Sequence, residues 1–161
     1  RNKSPLSKNA IFGYHYLALQ HRQEIAGKIR TLPVHIKGNP HFKVVPVADI
    51  ESKLDVLLEK YNAFTIKNHQ LKEVLEFASF FHNEFQHIHP LEDGNSRTTR
   101  LITFHLLTSQ SIPIFDIPLG LLEQYLKATK GAVKRGDSRL NQILQLVILY
   151  NVKTINERMK L

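Results

Sequence analysis

Cysteine is absent from this chain of 161 residues, and no uninterrupted apolar run approaches the roughly 20 residues that a membrane-spanning helix requires. The chain therefore has neither disulfide bonds nor thiolate metal sites, which fits a reducing compartment. The N-terminus also lacks a signal-peptide pattern. These absences predict a cytoplasmic protein with no membrane partner, with a secreted effector as the alternative. Because the first residue is Arg1 and not Met, we expect a fragment of a longer protein.

The length fits one domain of ordinary size, and the formal net charge is +8. A basic balance of this kind is compatible with nucleic-acid binding, with attraction of a small anionic ligand, or with a merely basic surface. The densest basic stretch, residues 127–139, contains no aromatic side chain that could stack on a base. A nucleic-acid partner is therefore disfavoured.

Apolar residues recur at helical spacing along most of the chain and predict an all-α domain over residues 9–157, preceded by a polar lead-in at residues 1–8. Proline and glycine separate the apolar patterns and mark where helices end. The predicted helices cover residues 9–29, a stretch beginning at Asp49, and residues 69–88, 97–109, 119–130 and 138–157.

Residues 32–46 depart from helical spacing. Val34 and Ile36 alternate with polar neighbours, and the turn-forming sequence Gly-Asn-Pro follows at residues 38–40. This pattern predicts a small β-hairpin inserted into a helical fold. An isolated hairpin is marginally stable, so it either covers the core or serves as a flap that binds a partner.

The segment between the two most apolar predicted helices has the composition of an anion site. Asp93, Gly94 and Asn95 favour a sharp turn that points backbone N–H groups into one concavity and leads into a helix N-terminus. Arg97 and Arg100 are three residues apart and share one face of the next helix. Together these features predict a clamp for a di- or triphosphate.

Two side chains in the same segment can do chemistry. Asp93 would repel a bare phosphate but suits Mg²⁺ that bridges phosphate oxygens, and His89 is a candidate general base at neutral pH. Taken one at a time, these residues have milder explanations: an ordinary turn, a surface histidine, and arginines paired with Glu92 or Glu123. The combination favours the site.

Residues 89–100 read His-Pro-Leu-Glu-Asp-Gly-Asn-Ser-Arg-Thr-Thr-Arg and resemble the signature of the Fic family (filamentation induced by cAMP), H-x-F-x-[D/E]-G-N-G-R-x-x-R. Six of the eight specified positions match. Leu91 replaces the usual Phe and Ser96 replaces the second Gly. His15, His82, residues 26–30 and the hairpin also look like family features, so that the resemblance covers most of the chain.

The resemblance implies a protein adenylyltransferase of Fic type. His89 would deprotonate a Ser, Thr or Tyr hydroxyl of a target protein, which would attack the α-phosphorus of ATP and release pyrophosphate. Asp93 would hold Mg²⁺ as the cofactor. The resemblance assigns the remaining phosphate contacts as follows: the amides of Gly94, Asn95 and Ser96 and the Asn95 side chain hold the α-phosphate, Arg97 holds the β-phosphate and Arg100 the γ-phosphate.

The resemblance also assigns the target-binding role to the flap, with Val34, His35 and Ile36 pairing with the target segment. Many relatives carry an inhibitory helix with the pattern [S/T]-x-x-x-E-[G/N], which has no match in this chain. Inhibition would then come from a separate antitoxin-like protein or from sequence upstream of Arg1. Ser96 permits two interpretations. If the position needs positive φ, the serine backbone is strained; if it does not, the serine hydroxyl adds a hydrogen-bond donor and a helix cap.

Several alternatives stay open at the level of sequence. The chain could be a Fic-like module that binds a nucleotide or a partner without catalysis, or it could transfer another nucleotide or phosphate-containing group. A helical nucleic-acid binder that uses residues 127–139 is a third hypothesis. A zinc site formed by His82, His87 and His89 is disfavoured, because the three side chains do not share one helix face.

Overall fold

The structure is a computed structural model that describes residues 5–36, 42–113, 116–130 and 136–160. In these ranges the chain forms six α-helices and a short 3₁₀ helix, which confirms the predicted all-α class. None of the helices described is long and apolar enough to cross a bilayer. The helices are α1 (Lys8–Leu19), α2 (Ile50–Thr65), α3 (Leu71–Ile88), α4 (Asn95–Ser109), α5 (Leu119–Lys130) and α6 (Arg139–Met159), and the 3₁₀ helix is Val47–Asp49.

Helix α3 is the centre of the fold and packs against α2, α4 and α6, while α1 packs on α4 and α5 packs on α6. The apolar positions of α3 recur every three or four residues, which gives the helix one face toward each neighbour. Phe85 and Ile88 at its C-terminal end are buried together with Leu91 and with Ile102 of α4. The connection between α3 and α4 is therefore anchored in the core at both ends.

Helix α1 is shorter than predicted, because it ends at Leu19 and not near residue 29. The chain turns back on itself over residues 20–27, where Gly27 adopts φ +72°. The Gly27 N–H donates to Nδ1 of His15 in α1 at 3.1 Å. The chain therefore bends at Gly27, whose left-handed backbone is held by buried His15, where the predicted helix would have continued.

The described residues that precede α1 are hydrogen-bonded to α2. Leu6 is buried, its N–H donates to Oδ1 of Asn62 in α2 at 2.9 Å, and its carbonyl accepts from the same side chain at 3.0 Å. Ser7 caps α1 by accepting from the Ala10 N–H at 3.2 Å. The described part of the predicted lead-in is thus fixed to α1 and α2.

The predicted β-hairpin over residues 32–46 is not seen. Residues 32–36 and 42–46 contain no β-strand, and the turn predicted at residues 38–40 lies outside the described residues. The polar backbone groups at the two ends of this stretch find partners elsewhere. The Val45 N–H donates to the His87 carbonyl at 3.1 Å, and the guanidinium of Arg30 donates to the carbonyls of Leu32 and Val45. Alternating apolar residues suggested ladder pairing, but contacts with α3 and Arg30 decided the conformation instead.

Candidate active site at the junction of α3 and α4

His89 ends helix α3 in the left-handed conformation, with φ 49° and ψ 57°. Its N–H still donates to the Phe85 carbonyl at 2.8 Å, while Pro90 cannot continue the helix. Left-handed backbone is uncommon for residues other than glycine, and strained positions of this kind gather at functional sites. The conformation turns the chain sharply away from α3 at His89.

The imidazole of His89 is held in one tautomer. Nδ1 lies 3.2 Å from the carbonyl oxygen of Gln86, and a carbonyl can only accept, so Nδ1 carries the hydrogen in the neutral ring. The lone pair of Nε2 is then available to accept a proton. Burial lowers the pKa of His89, although the Gln86 carbonyl opposes this effect, and the positive charge of Arg30 lowers the pKa further. The ring is therefore neutral at neutral pH, as a general base requires.

The loop after His89 is braced from within. Leu91 is completely buried, so the aliphatic side chain fills the position at which the Fic signature has phenylalanine. Oδ1 of Asn95 accepts from the Leu91 N–H at 3.2 Å, and Nδ2 donates to the Leu91 carbonyl at 2.8 Å. The Asn95 side chain was expected at an α-phosphate, but in this structure both of its polar atoms bind the loop backbone.

Helix α4 begins at Asn95 with Gly94 as its N-cap, two residues earlier than predicted. Gly94 has φ +75°, and a Cβ at this position would lie 2.7 Å from Cδ1 of Leu19 and 3.2 Å from Cδ2 of His15. Both conditions require glycine. No side chain among the described residues caps the first turn, so its N–H groups are left for an external acceptor at the positive end of the helix dipole.

Ser96 lies within the first turn of α4 and does not have positive φ, since His89 and Ser111 are the non-glycine residues described with such backbone. It is not the helix cap either, because Gly94 takes that place. Its hydroxyl lies 3.5 Å from Nε2 of Gln86 in α3 and accepts from it. Serine therefore occupies the position of the second signature glycine without backbone strain.

Asp93 binds two arginines through the same oxygen. Oδ2 accepts from Nη2 of Arg97 at 3.2 Å and from Nη1 of Arg22 at 3.2 Å, and Oδ1 accepts from the Gly94 N–H. Burial on its own would raise the pKa of Asp93, but the Gly94 amide and the charges of Arg97 and Arg22 hold it below the usual value. The carboxylate is thus ionised and is partly exposed to solvent, as a ligand for a hard cation must be.

Arg100 is half-buried on α4, one turn after Arg97. Burial lowers the pKa of His82 on α3 and raises the pKa of Tyr125 on α5, and the positive charge of Arg100 adds to the first shift and opposes the second, so the guanidinium lies near both side chains. In the part of the chain that the structure describes, no carboxylate lies within ion-pair distance of Arg100. Arg97 and Arg100 thus differ: the first binds Asp93, and the second has no acidic partner among these residues.

A family model for the Fic/DOC family matches residues 5–107, which include the whole segment from His89 to Arg100. The chain belongs to the Fic/DOC family. The matched region runs from the start of α1 almost to the end of α4 and so contains the central part of the fold just described.

Three known proteins are similar to this chain in sequence or in structure. The chain is 29% identical over 114 residues to protein adenylyltransferase fic-1 of Caenorhabditis briggsae, which is 71% of this chain and 21% of that protein. The solved structure of Fic-1 (residues 134–508) of C. elegans has a TM-score of 0.75 at 22% identity and covers 96% of this chain and 44% of that one. BepC, an effector of Bartonella tribocorum solved with bound AMPPNP, has a TM-score of 0.63 at 18% identity over 88% of this chain and 73% of its own.

The Fic chain spans about a fifth of the length of the curated relative and less than half of the C. elegans structure. At identities below 25%, the solved structures show a shared fold. The C. elegans structure covers 96% of this chain, so the shared fold extends beyond residue 107, where the family-model match ends.

The flap residues predicted to bind a target lie in a stretch without regular secondary structure. His35 is exposed, while Val34 and Ile36 are half-buried. The stretch begins beside the site, because the Arg30 N–H donates to the Pro90 carbonyl at 2.9 Å. In this Fic domain the backbone just before residues 34–36 thus lies next to His89. The predicted strands do not form in the described residues.

Three residues of the site were missed or left without a role at the level of sequence. Arg22 is 71 positions from Asp93 and carries no local signal of its contact. Gln86 orients His89 and contacts Ser96 and Thr99 of α4, and its place one turn before His89 on a helix could have suggested the first contact. Arg30 stood within the stretch that resembles the family, but its contact with the His89 carbonyl depends on tertiary structure.

No group of three or more histidine, aspartate or glutamate side chains among the described residues could hold a metal ion. His82 is buried, and its Nδ1 pairs with Asn83 Oδ1 at 3.3 Å. Asp93 by itself fits Mg²⁺, because this ion is usually held by one or two carboxylates together with phosphate oxygens of the substrate.

Proposed function

We propose that this Fic domain transfers AMP from ATP to a Ser, Thr or Tyr hydroxyl of a target protein. The observation that carries the proposal is the tautomer of His89: Nδ1 is bound to the Gln86 carbonyl, and Nε2 is left as the proton acceptor. This base lies five residues before a helix N-terminus that has no side-chain cap and bears two arginines.

The phosphates would bind at the start of α4. The N–H groups of its first turn and the helix dipole favour the α-phosphate, and Arg97 and Arg100 neutralise the β- and γ-phosphates. The Asn95 side chain contributes by holding Leu91 and so the shape of the loop. Asp93 would supply an oxygen ligand to Mg²⁺, which neutralises phosphate charge when it is bound.

The chemical step needs a single proton acceptor on the enzyme. As the target oxygen bonds to the α-phosphorus, its proton passes to Nε2 of His89, and the bond from the α-phosphorus to the bridging oxygen of pyrophosphate breaks. Pyrophosphate leaves, and AMP stays on the hydroxyl. Positioning and neutralisation of charge account for most of the catalysis in transfers of this kind.

Two of the relatives support this proposal. One is named a protein adenylyltransferase, and BepC was solved with AMPPNP, an analogue of ATP. Arg100, without an acidic partner among the described residues, is in the state expected of a γ-phosphate ligand that is not inhibited. A separate inhibitory protein that supplies a carboxylate to Arg100 is part of the same proposal.

The test is label transfer to a lysate and to the protein itself. ATP labelled at the α-phosphate and ATP labelled at the γ-phosphate are each incubated with Mg²⁺ and wild type, His89→Ala or His21→Ala, a control that changes an exposed histidine. We expect only the α label to be transferred, and only by wild type and H21A. Transfer of the γ label would contradict AMP transfer, and nucleotide binding without any transfer would identify a binding module.

A further inference from the structure

Arg30 is a buried cation, with 3% of its surface exposed. Its guanidinium donates to three backbone carbonyls: Nε to His89 at 2.6 Å, Nη1 to Leu32 at 3.0 Å and Nη2 to Val45 at 2.5 Å. In the described part of the chain no carboxylate pairs with it. The charge is therefore compensated by carbonyl dipoles, and burial lowers the pKa of the guanidinium.

The three carbonyls belong to three different parts of the fold. His89 is the left-handed residue that ends α3. Leu32 lies in residues 32–36 and Val45 in residues 42–45, the two described ends of the stretch between Arg30 and the 3₁₀ helix, and neither end has regular secondary structure. The planar fork of a guanidinium can bind several acceptors in fixed directions, whereas the ammonium of lysine is a point charge. One side chain thus joins both ends of the stretch to the end of α3.

The peptide bond after His89 is held from two sides. Nε of Arg30 binds the His89 carbonyl, and the Arg30 N–H donates to the Pro90 carbonyl at 2.9 Å. These contacts fix the direction of the backbone at a residue whose left-handed φ is costly. The Gln86 carbonyl fixes the imidazole of the same residue at Nδ1. The backbone and the side chain of His89 therefore have separate supports.

We propose that Arg30 is a positioning residue that keeps His89, residues 32–36 and residues 42–45 in one fixed relative arrangement. The inference rests on the proposed function, in which His89 deprotonates the target hydroxyl, and on the target-binding role that the Fic resemblance assigns to residues 34–36. The base and the target then stay aligned, because the same guanidinium binds both the residue that carries the base and the segment that meets the target. Nucleotide binding at the start of α4 does not depend on this contact.

The variant Arg30→Lys keeps a positive charge but loses the planar fork, and Arg30→Gln loses the charge as well. Arg158→Lys, on the exposed end of α6, is the matched control. With saturating ATP we expect R30K to lower kcat for AMP transfer at least tenfold, while the Kd for ATP with Mg²⁺ stays within about twofold of wild type. Amide hydrogen exchange should accelerate at residues 32–36 and 42–45 and stay unchanged in α3 and α4.

The exchange measurement and an NMR titration of His89 need no activity, so they test Arg30 even if AMP transfer fails. In R30Q, the loss of a positive charge should raise the pKa of His89 toward its ordinary value, since that charge lowers it in the wild type. The proposal would be overturned if R30K had the same amide exchange rates and the same kcat as the wild type. Faster exchange throughout α3 and α4, with loss of ATP binding in R30K, would also overturn it, because Arg30 would then only support the fold.

Discussion

Nη1 of Arg22 donates a hydrogen bond of 3.2 Å to Oδ2 of Asp93, the carboxylate that we assign to Mg²⁺. The same oxygen accepts from Arg97, which we assign to the β-phosphate. Asp93 thus pairs with two of the basic side chains of the site, whereas Arg100 has no acidic partner among the described residues. In the proposed function, Mg²⁺ at Asp93 and a phosphate at Arg97 would require these pairs to exchange partners.

Removal of Arg22 should therefore make Asp93 easier for Mg²⁺ to reach. Arg22 and Asp93 are 40% and 47% exposed, so their pair is worth at most about 1 kcal/mol, or roughly fivefold in binding. We expect Arg22→Gln to lower the Mg²⁺ concentration for half-maximal ATP binding by about two- to fivefold, as measured by calorimetry.

The matched control is Lys28→Gln, since Lys28 is exposed and binds the Glu24 carbonyl, not Asp93. An increase in the Mg²⁺ requirement of R22Q would contradict the prediction. That result would mean that Arg22 assists ion or nucleotide binding and does not compete with it.

The pH dependence of transfer should report His89. Its pKa is lowered by burial, so the ring stays neutral until the pH falls below the ordinary imidazole value of about 6.5. A general base works in its neutral form, and activity should therefore be constant at neutral pH and decrease only as the pH falls through this lowered pKa. Measurement of kcat/KM from about pH 8 to about pH 5 tests this.

Asp93 does not complicate the profile, because its pKa is held below the usual carboxylate value and the group stays ionised over this range. An acid limb with a midpoint above about 6.5 would show that the base is another group, or that His89 is less buried than in this structure.

Substitutions at the two glycine positions of the family signature should differ in how much stability they cost. Gly94→Ala forces a side chain into left-handed backbone and within 2.7 Å of Cδ1 of Leu19. We expect G94A to lower the free energy of unfolding by about 1–3 kcal/mol and to impair ATP binding. Ser96→Gly relieves no strain and places glycine in a helix, so we expect a loss of at most about 1 kcal/mol.

Urea denaturation of both variants, together with ATP titration, measures these effects. Stabilisation of the domain by S96G would contradict our account of Ser96, because it would show strain at a position that has ordinary helical backbone here.

His82 should make the fold sensitive to acid. Burial lowers its pKa to about 4, whereas the same imidazole in the unfolded chain titrates near 6.5. Between these values the unfolded state binds the proton and the folded state does not, so stability decreases as the pH falls through this window. The shift corresponds to about 3 kcal/mol by pH 4.

Denaturation of wild type and His82→Gln as a function of pH checks this prediction. Glutamine does not titrate, so H82Q is expected to lose less stability than wild type between about pH 6.5 and pH 4, whatever its stability at neutral pH. Parallel curves for the two proteins would mean that His82 is protonated in the fold.

Helical periodicity was a reliable guide to the fold, and it failed where local and tertiary preferences differ. The pattern predicted α3 to within two residues at its start and correctly at its end, because ten of its residues are buried at regular helical spacing. It extended α1 too far, since His15 and Gly27 fold the chain back. Alternation of apolar and polar residues predicted strands at residues 32–46, but in the described parts, residues 32–36 and 42–46, hydrogen bonds to Arg30 and to the end of α3 replace a ladder.

The sequence by itself determined the order of the helices and the segment from His89 to Arg100, because both depend on spacing between near neighbours. Only the tertiary structure decided which tautomer His89 adopts, that Asp93 binds Arg22, and that Arg30 joins His89 to Leu32 and Val45. The contacts of Asp93 with Arg22 and of Arg30 with His89 link residues 71 and 59 positions apart. No local pattern encodes such pairs, since they form only when packing brings distant segments together.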